Sequence, residues 1–291
     1  MAGWIDRWRD ATVAIGHTQQ VEIRYANGRV VRKKMFVVAG TGVIFGLQDD
    51  PTHTPWLVTA KHVFRDTHNH WAPSRLQLRF SWFDEKPATQ YFGVGMTLKR
   101  GNTQYWISHP NTKVDLACLP LSLTKKQTGR KVLPKIQFGD FGTAEEFYEG
   151  APLMLLGYPE AVGPDLSAKA LVRQGIVSWV SPTKPESTLF YIDGHIFPGN
   201  SGGPVFKLPA GIDRQGHFAT HGDVSFLGIV TQTRIHQLPL LAGGQEIGIT
   251  FQRKKLPHTL LSQNYTGTGL AEPVFRVKQL LSCAAKRKKG K

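Results

Sequence analysis

The chain has 291 residues, 41% of them apolar and 20% charged, with 30 Gly and 18 Pro. That length can bury a core in one large or two modest globular units, and the balance excludes a disordered tail. Glycine stands above its usual ~7% without a three-residue period, which excludes collagen and points to turns, short strands and an all-β architecture. The 36 Lys and Arg against 21 Asp and Glu leave a net charge of +15, a field that attracts polyanions or acidic proteins without specifying a fold. Five cations and one glycine fill positions 286–291, and four more cations lie between Arg29 and Lys34. A solubilising tail and solvated strand faces account for them, with a nucleic-acid or membrane-surface footprint as the alternative.

Two cysteines, Cys118 and Cys283, exclude a disulfide framework. Cys118 sits in the apolar run Leu116-Ala117-Cys118-Leu119 and reads as a buried, inert thiol. Four charges within the first ten residues break up any signal-peptide core, and no stretch reaches the ~18 apolar residues of a membrane span. The expectation is a soluble protein in a reducing cytoplasm.

In chain order, apolar positions 4, 5, 8, 11 and 15 have helical spacing, so a short amphipathic helix is predicted from Trp4 to Ile15. Val21 to Tyr25 then alternates, Asn27-Gly28 offers a type I′ turn, and Val30 to Val38 can return as the hairpin partner. Further strands are predicted at Gly40 to Phe45, Trp56 to Ala60, Arg75 to Phe83, Gln90 to Thr97, Tyr105 to Ser108 and Leu116 to Pro120. These suffice for a small closed barrel. The polar, basic stretch from Ser122 to Lys135 reads as a crossover. Beyond it the texture repeats at Pro152 to Leu156, Ala170 to Val180, Thr188 to Asp193, Pro204 to Lys207, Phe226 to Thr231 and Glu246 to Phe251. From Pro273 to Ala285 helical spacing returns, with Val274, Val277, Leu281 and Ala284 on one stripe. The expected organisation is an N-terminal helix and first barrel over 1–125, a linker over 126–148, a second barrel over 149–255, and a C-terminal helix with a basic tail over 256–291.

Three segments carry chemistry. In Pro198-Gly199-Asn200-Ser201-Gly202-Gly203-Pro204, glycines on both sides of one serine permit tight backbone turns that aim successive N–H groups into a concavity able to hold an oxyanion. Leu57-Val58-Thr59-Ala60-Lys61-His62-Val63 places a histidine just past an apolar strand, where a short connection can face a cleft. Val114-Asp115-Leu116-Ala117 sets a carboxylate at the head of another apolar run, partly buried and in need of a donor. Asp66, Asp84 and Asp140 are rival carboxylates. His68-Asn69-His70 invites a zinc reading, but no Cys or carboxylate cluster accompanies it at ligand spacing.

In the order His, Asp, Ser, these segments resemble the trypsin-like serine peptidases, most closely in flavour the bacterial HtrA-type and related cytosolic peptidase domains. The likeness covers roughly residues 36 to 252, with secondary matches at Gly150 to Pro159, Arg173-Gln174-Gly175-Ile176-Val177, Leu227-Gly228-Ile229-Val230 and Glu246-Ile247-Gly248-Ile249. It implies two six-stranded antiparallel β-barrels with the active site between them, and an endopeptidase that acts on protein or peptide substrates without metal or organic cofactor. By the same resemblance His62 is the general base, Asp115 its orienting partner and Ser201 the nucleophile, with an oxyanion hole from the Gly199 and Ser201 amides. The side-chain pocket would have His195 at its base and Val230, Thr231, Gln232 and Thr233 as walls. The acidic base of trypsin and the wall histidine of Glu-specific relatives are both missing, so small or medium apolar side chains are expected.

Two departures from secreted and HtrA members also matter. No activating cleavable start is recognisable, and no peptide-binding domain follows the protease segment. Residues 1 to 35 or a regulatory protein partner are therefore expected to control the loop around Gly199. The competing readings are a catalytically silent double barrel that binds peptides or nucleic acid, and an esterase using the same triad.

Overall fold

The computed structural model describes residues 4–24, 26–47, 54–81, 91–124, 133–159, 169–209, 211–213, 215–219, 222–239, 241–242, 245–246, 248–251, 254–259 and 261–289. Helix α1 (Trp4–Asp10) opens the chain, ending earlier than its apolar spacing predicts. Thr12 Oγ1 donates to the Trp8 carbonyl at 2.8 Å, and strand β1 (Thr12–Arg24) starts there. Val13 and Ile15 join one buried cluster while Ala14 joins another. Burial on both faces imposes the two-residue period over the helical one.

Strand β1 pairs with β2 (Val30–Phe45) from Thr12↔Val43 to Arg24↔Val30, across a turn where Gly28 has φ +79°. Then come β3 (Trp56–Ala60), the short helix α2 (Lys61–Phe64), β4 (Arg75–Ser81), β5 (Tyr91–Thr97), β6 (Ile107–Ser108) and β7 (Leu116–Pro120). They form a seven-stranded antiparallel sheet in the order β5-β4-β1-β2-β3-β7-β6, curled into a half-barrel. The predicted six-stranded closed barrel is corrected here. The sheet has edges at β5 and β6, β1 begins at Thr12 inside the stretch that the helical spacing claims, and Val30 to Val38 and Gly40 to Phe45 run as the single strand β2.

The second unit is a closed six-stranded barrel of β8 (Pro152–Gly157), β9 (Leu171–Trp179), β10 (Phe190–Gly194), β11 (Pro204–Lys207), β12 (Ser225–Pro239) and β13 (Leu261–Pro273), in the order β8-β9-β10-β13-β12-β11. Glu246 to Phe251 is not one of its strands. Gly248–Phe251 pairs with Lys254–Thr259 in a separate ribbon, Ile247 lies outside the described residues, and the barrel continues past residue 255 to Pro273. Strand β13 escapes an apolar pattern because it is small and polar where it bends. A Cβ on Gly269 would meet Ile196 Cδ1 at 2.4 Å and the Gln232 carbonyl oxygen at 3.0 Å, an approach only glycine allows.

Helix α3 (Val274–Lys289) follows directly, and its stripe of Val274, Val277, Leu281 and Ala284 is buried as expected. One apolar cluster, with Ile15, Leu57 and Leu78, fills the half-barrel. The other runs from Phe45, Val58 and Cys118 through Phe206 and Phe226 to Val277, so the far face of the first sheet, the closed barrel and α3 share a core. The Phe45 and Phe226 rings meet edge-on at 5.3 Å, and such side chains each contribute about 1.5–3 kcal/mol by burial. Of the expected linker, 126–132 lies outside the described residues. Its later part is packed: Ile136 exchanges backbone hydrogen bonds with Ile44 and Gly46 at 2.9 and 3.0 Å, and Phe147 is buried. Both cysteines are free, and burial pushes the Cys118 thiol up, leaving it inert. Among the described residues no helix is long and apolar enough to cross a membrane.

Candidate active site

Pairing of β3 with β7, Ala60 opposite Leu116, places α2 beside the head of β7. Lys61 N donates to the Asp115 carbonyl at 3.1 Å. The Asp115 carboxylate spends both oxygens on His62, accepting from its backbone N–H at 3.0 Å and meeting its ring Nδ1 at 2.6 Å. A carboxylate at Nδ1 assigns the proton to that nitrogen, so Nε2 is left as the acceptor. The imidazole side chain is 34% exposed and the Asp115 side chain 21%, which keeps the pair accessible on one side. The rival acids do other things. Asp66 accepts from Asn69 and His68 within its own turn, bonds that hold its carboxyl below the usual range. Asp140 pairs with Arg7 at 2.8 Å, and Asp84 lies outside the described residues.

Ser201 stands in a loop shaped by backbone. Asn200 N donates to Phe197 O at 3.1 Å, Gly203 N to Asn200 O at 2.8 Å and Gly202 N to Val230 O at 2.7 Å. Gly199 and Gly202 both have φ +90°, and a Cβ on Gly202 would lie 1.9 Å from Thr41 O, so position 202 excludes any side chain. Among the described residues, the Gly199 and Ser201 amides donate to no acceptor. Two unsatisfied donors flanking Asn200, one of them the serine's own amide, are the kind of pair an oxyanion site uses.

The loop is clamped by a residue the sequence reading passed over. Buried Thr41, on β2, donates its backbone N–H to Ser201 O at 2.8 Å and its hydroxyl to Gly199 O at 2.7 Å, while that hydroxyl accepts from Tyr158 N at 3.0 Å. Thr59, three residues before His62, donates to Thr41 O at 2.6 Å. Position 40 has no room for a side chain either: a Cβ on Gly40 would touch Val63 Cγ2 at 2.5 Å and Ser201 O at 3.0 Å. The turn carrying His62 and the loop carrying Ser201 thus share one wall. Among the described residues no hydrogen bond joins the Ser201 hydroxyl to the His62 ring, a contact that often tightens only with substrate present.

The expected side-chain pocket is only partly assembled. His195 and Val230 line a small cavity of about 10 Å³ with Leu155, Arg173, Ile196 and Asn200, while Gln232 is exposed and Thr233 half-buried outside it. Thr231 is buried, and its hydroxyl has no partner among the described residues. Arg173 also escaped the sequence reading. It donates to His195 O at 2.6 Å, its guanidinium lies 4.9 Å from the Phe197 ring centroid, and burial lowers its pKa. With the Asn200 amide oxygen turned toward its donors, Arg173 Nη1 reaches it at 3.0 Å and Phe197 N at 3.1 Å. The signals for these residues were a threonine between two glycines and a cation inside an alternating strand. His68 and His70 gather no ligand set: among the described residues no three His, Cys, Asp or Glu side chains could hold a metal ion.

A family model described as trypsin-like peptidase domain matches residues 40–211. No curated protein matches. Among solved structures, a match is the crystal structure of Rv3671c from M. tuberculosis H37Rv, a Ser343Ala mutant in an inactive form. It is 16% identical with a TM-score of 0.43, and the match covers 96% of this chain and 88% of that one.

Proposed function

Because this chain belongs to the trypsin-like peptidase domain family, we propose that it is a serine endopeptidase working through His62, Asp115 and Ser201. The observation that carries the reading is the pairing of Asp115 with both N–H groups of His62, one of them at 2.6 Å from the ring. Asp115 holds the ring so that Nε2 is the basic nitrogen. In the Michaelis complex Nε2 takes the proton of the Ser201 hydroxyl as the oxygen attacks a peptide carbonyl. The Gly199 and Ser201 amides receive the developing oxyanion. His62 then returns the proton to the leaving amine, and a water completes acyl-enzyme hydrolysis by the same route.

Substrates with small or medium apolar side chains before the cut bond remain our reading of specificity, since His195 rather than an acid stands at the expected pocket base and Val230 rather than a histidine on its wall. Two free cysteines fit a cytoplasmic site of action. A protein partner acting on the loop around Gly199 is the regulatory route we favour. Residues 1 to 35 offer less leverage, since Trp8 is buried against Phe206 with ring centroids 4.8 Å apart and β1 lies inside the sheet. Incubation with a diverse peptide library, followed by mass spectrometry, tests the proposal. New termini are expected with the native protein and none with Ser201→Ala, and cleavage by both would refer the activity to another site.

A further inference from the structure

Glu272, next to the last residue of β13, is 1% exposed. A carboxylate that deep needs partners, because an unpaired buried charge is strongly unfavourable. Two donors meet it. Arg276, one helical turn along α3, pairs with its Oε2 and reaches the Ser187 carbonyl with its other nitrogen. The backbone N–H of Asp115 donates to Oε1 at 3.1 Å. The acid that holds His62 is therefore itself held, at its amide, from the junction of β13 and α3.

The same helix fastens the approach to Asp115 at a second point. His109 is buried, its Nδ1 accepts from Asn111 N at 3.1 Å, and its Nε2–H therefore donates to Gln279 Oε1 at 3.2 Å. Its own N–H donates to Leu116 O at 3.0 Å. Residues 109 to 115 are thus tied to α3 at one end and to the last residues of β13 at the other. A buried ion pair adds little net stability compared with apolar packing.

We propose that Glu272 is a positioning residue of the candidate active site: its carboxylate, neutralised by Arg276, accepts the Asp115 amide and sets the depth from which both Asp115 oxygens reach His62. The kinetic part of the inference rests on the peptidase reading above.

Two double variants isolate the acceptor. Glu272→Gln with Arg276→Met removes both charges but keeps an amide oxygen for the Asp115 N–H. Glu272→Leu with Arg276→Met removes the charges and the acceptor. With matched melting curves, the first is expected to retain kcat, and the second to lose about 10²-fold in kcat at little-changed KM, the scale of a 1 Å misplacement in a catalytic group. The downfield proton resonance of the short His62–Asp115 hydrogen bond should persist in the first variant and vanish in the second. Equal kcat in the two, whether both high or both low, would overturn the proposal. Amide exchange in the unmodified protein needs neither variant to fold: slow exchange at Asp115 is expected, and exchange at the rate of an unstructured peptide would also overturn it. Absence of Ser201-dependent cleavage would instead remove the peptidase reading and leave the exchange test of the Glu272 contact standing.

Discussion

The first sheet fixes its two candidate residues through side chains, with Asp115 spending both oxygens on His62 and receiving Glu272 at its amide. Across the shared wall, the closed barrel presents Ser201 through main chain, glycine conformations and a single threonine from the other unit. The His62–Asp115 contacts are partly exposed side-chain bonds that a single substitution removes with little effect on the core. The Ser201 loop cannot be loosened in that way, because the backbone that shapes the loop also packs the two units together. Chemistry is therefore separable from folding on the His62 side and entangled with it on the Ser201 side.

Substitutions can break this contrast. Asp115→Asn is expected to lower kcat by about 10⁴-fold, through the wrong imidazole tautomer, with an unchanged melting curve. A large fall in melting temperature would show that the first half is as entangled as the second. Thr41→Val strips the hydroxyl from two buried backbone partners, Gly199 O and Tyr158 N. Each group left unsatisfied costs about 1–3 kcal/mol, so stability and kcat should fall together. Retained stability with lost activity would separate them after all.

A smaller effect comes from His109. Burial holds its pKa below the ordinary 6.5, so the unfolded chain binds this proton more readily than the folded one. The stability it contributes is present above pH 6.5 and is lost as pH falls through the folded-state value. Urea midpoints should drop on acidification below that point, and less so in His109→Gln; equal drops would place the acid-sensitive group elsewhere. Smallest of all is Arg7→Ala, which removes a pair with Asp140 in which Arg7 is 50% exposed. Such a pair is worth below about 1 kcal/mol, and a larger shift in urea midpoint would mean that α1 anchors more than its own first turn.

Legibility in the sequence followed the same division. Ser201 and His62 were readable as candidates because glycines, serine and the Thr-Ala-Lys-His run are adjacent in the chain and need no tertiary information. Asp115 had rivals because a carboxylate at a strand head is common, and only strand pairing distinguished it from Asp66 and Asp140. Thr41, Arg173 and Glu272 were silent because each acts on residues distant in sequence. The start of β1 was misread where Trp4 to Ile15 fits two periods at once, and β13 was missed where glycine and threonine replace apolar alternation.

The central claim is that His62 activates the Ser201 hydroxyl. Its most direct test is labelling with a fluorophosphonate probe, followed by peptide mapping of the native protein and of His62→Ala. The expected result is a single adduct on Ser201 that forms readily in the native protein and is nearly abolished in the variant. Labelling that misses Ser201, or that proceeds equally fast without the imidazole, would contradict it.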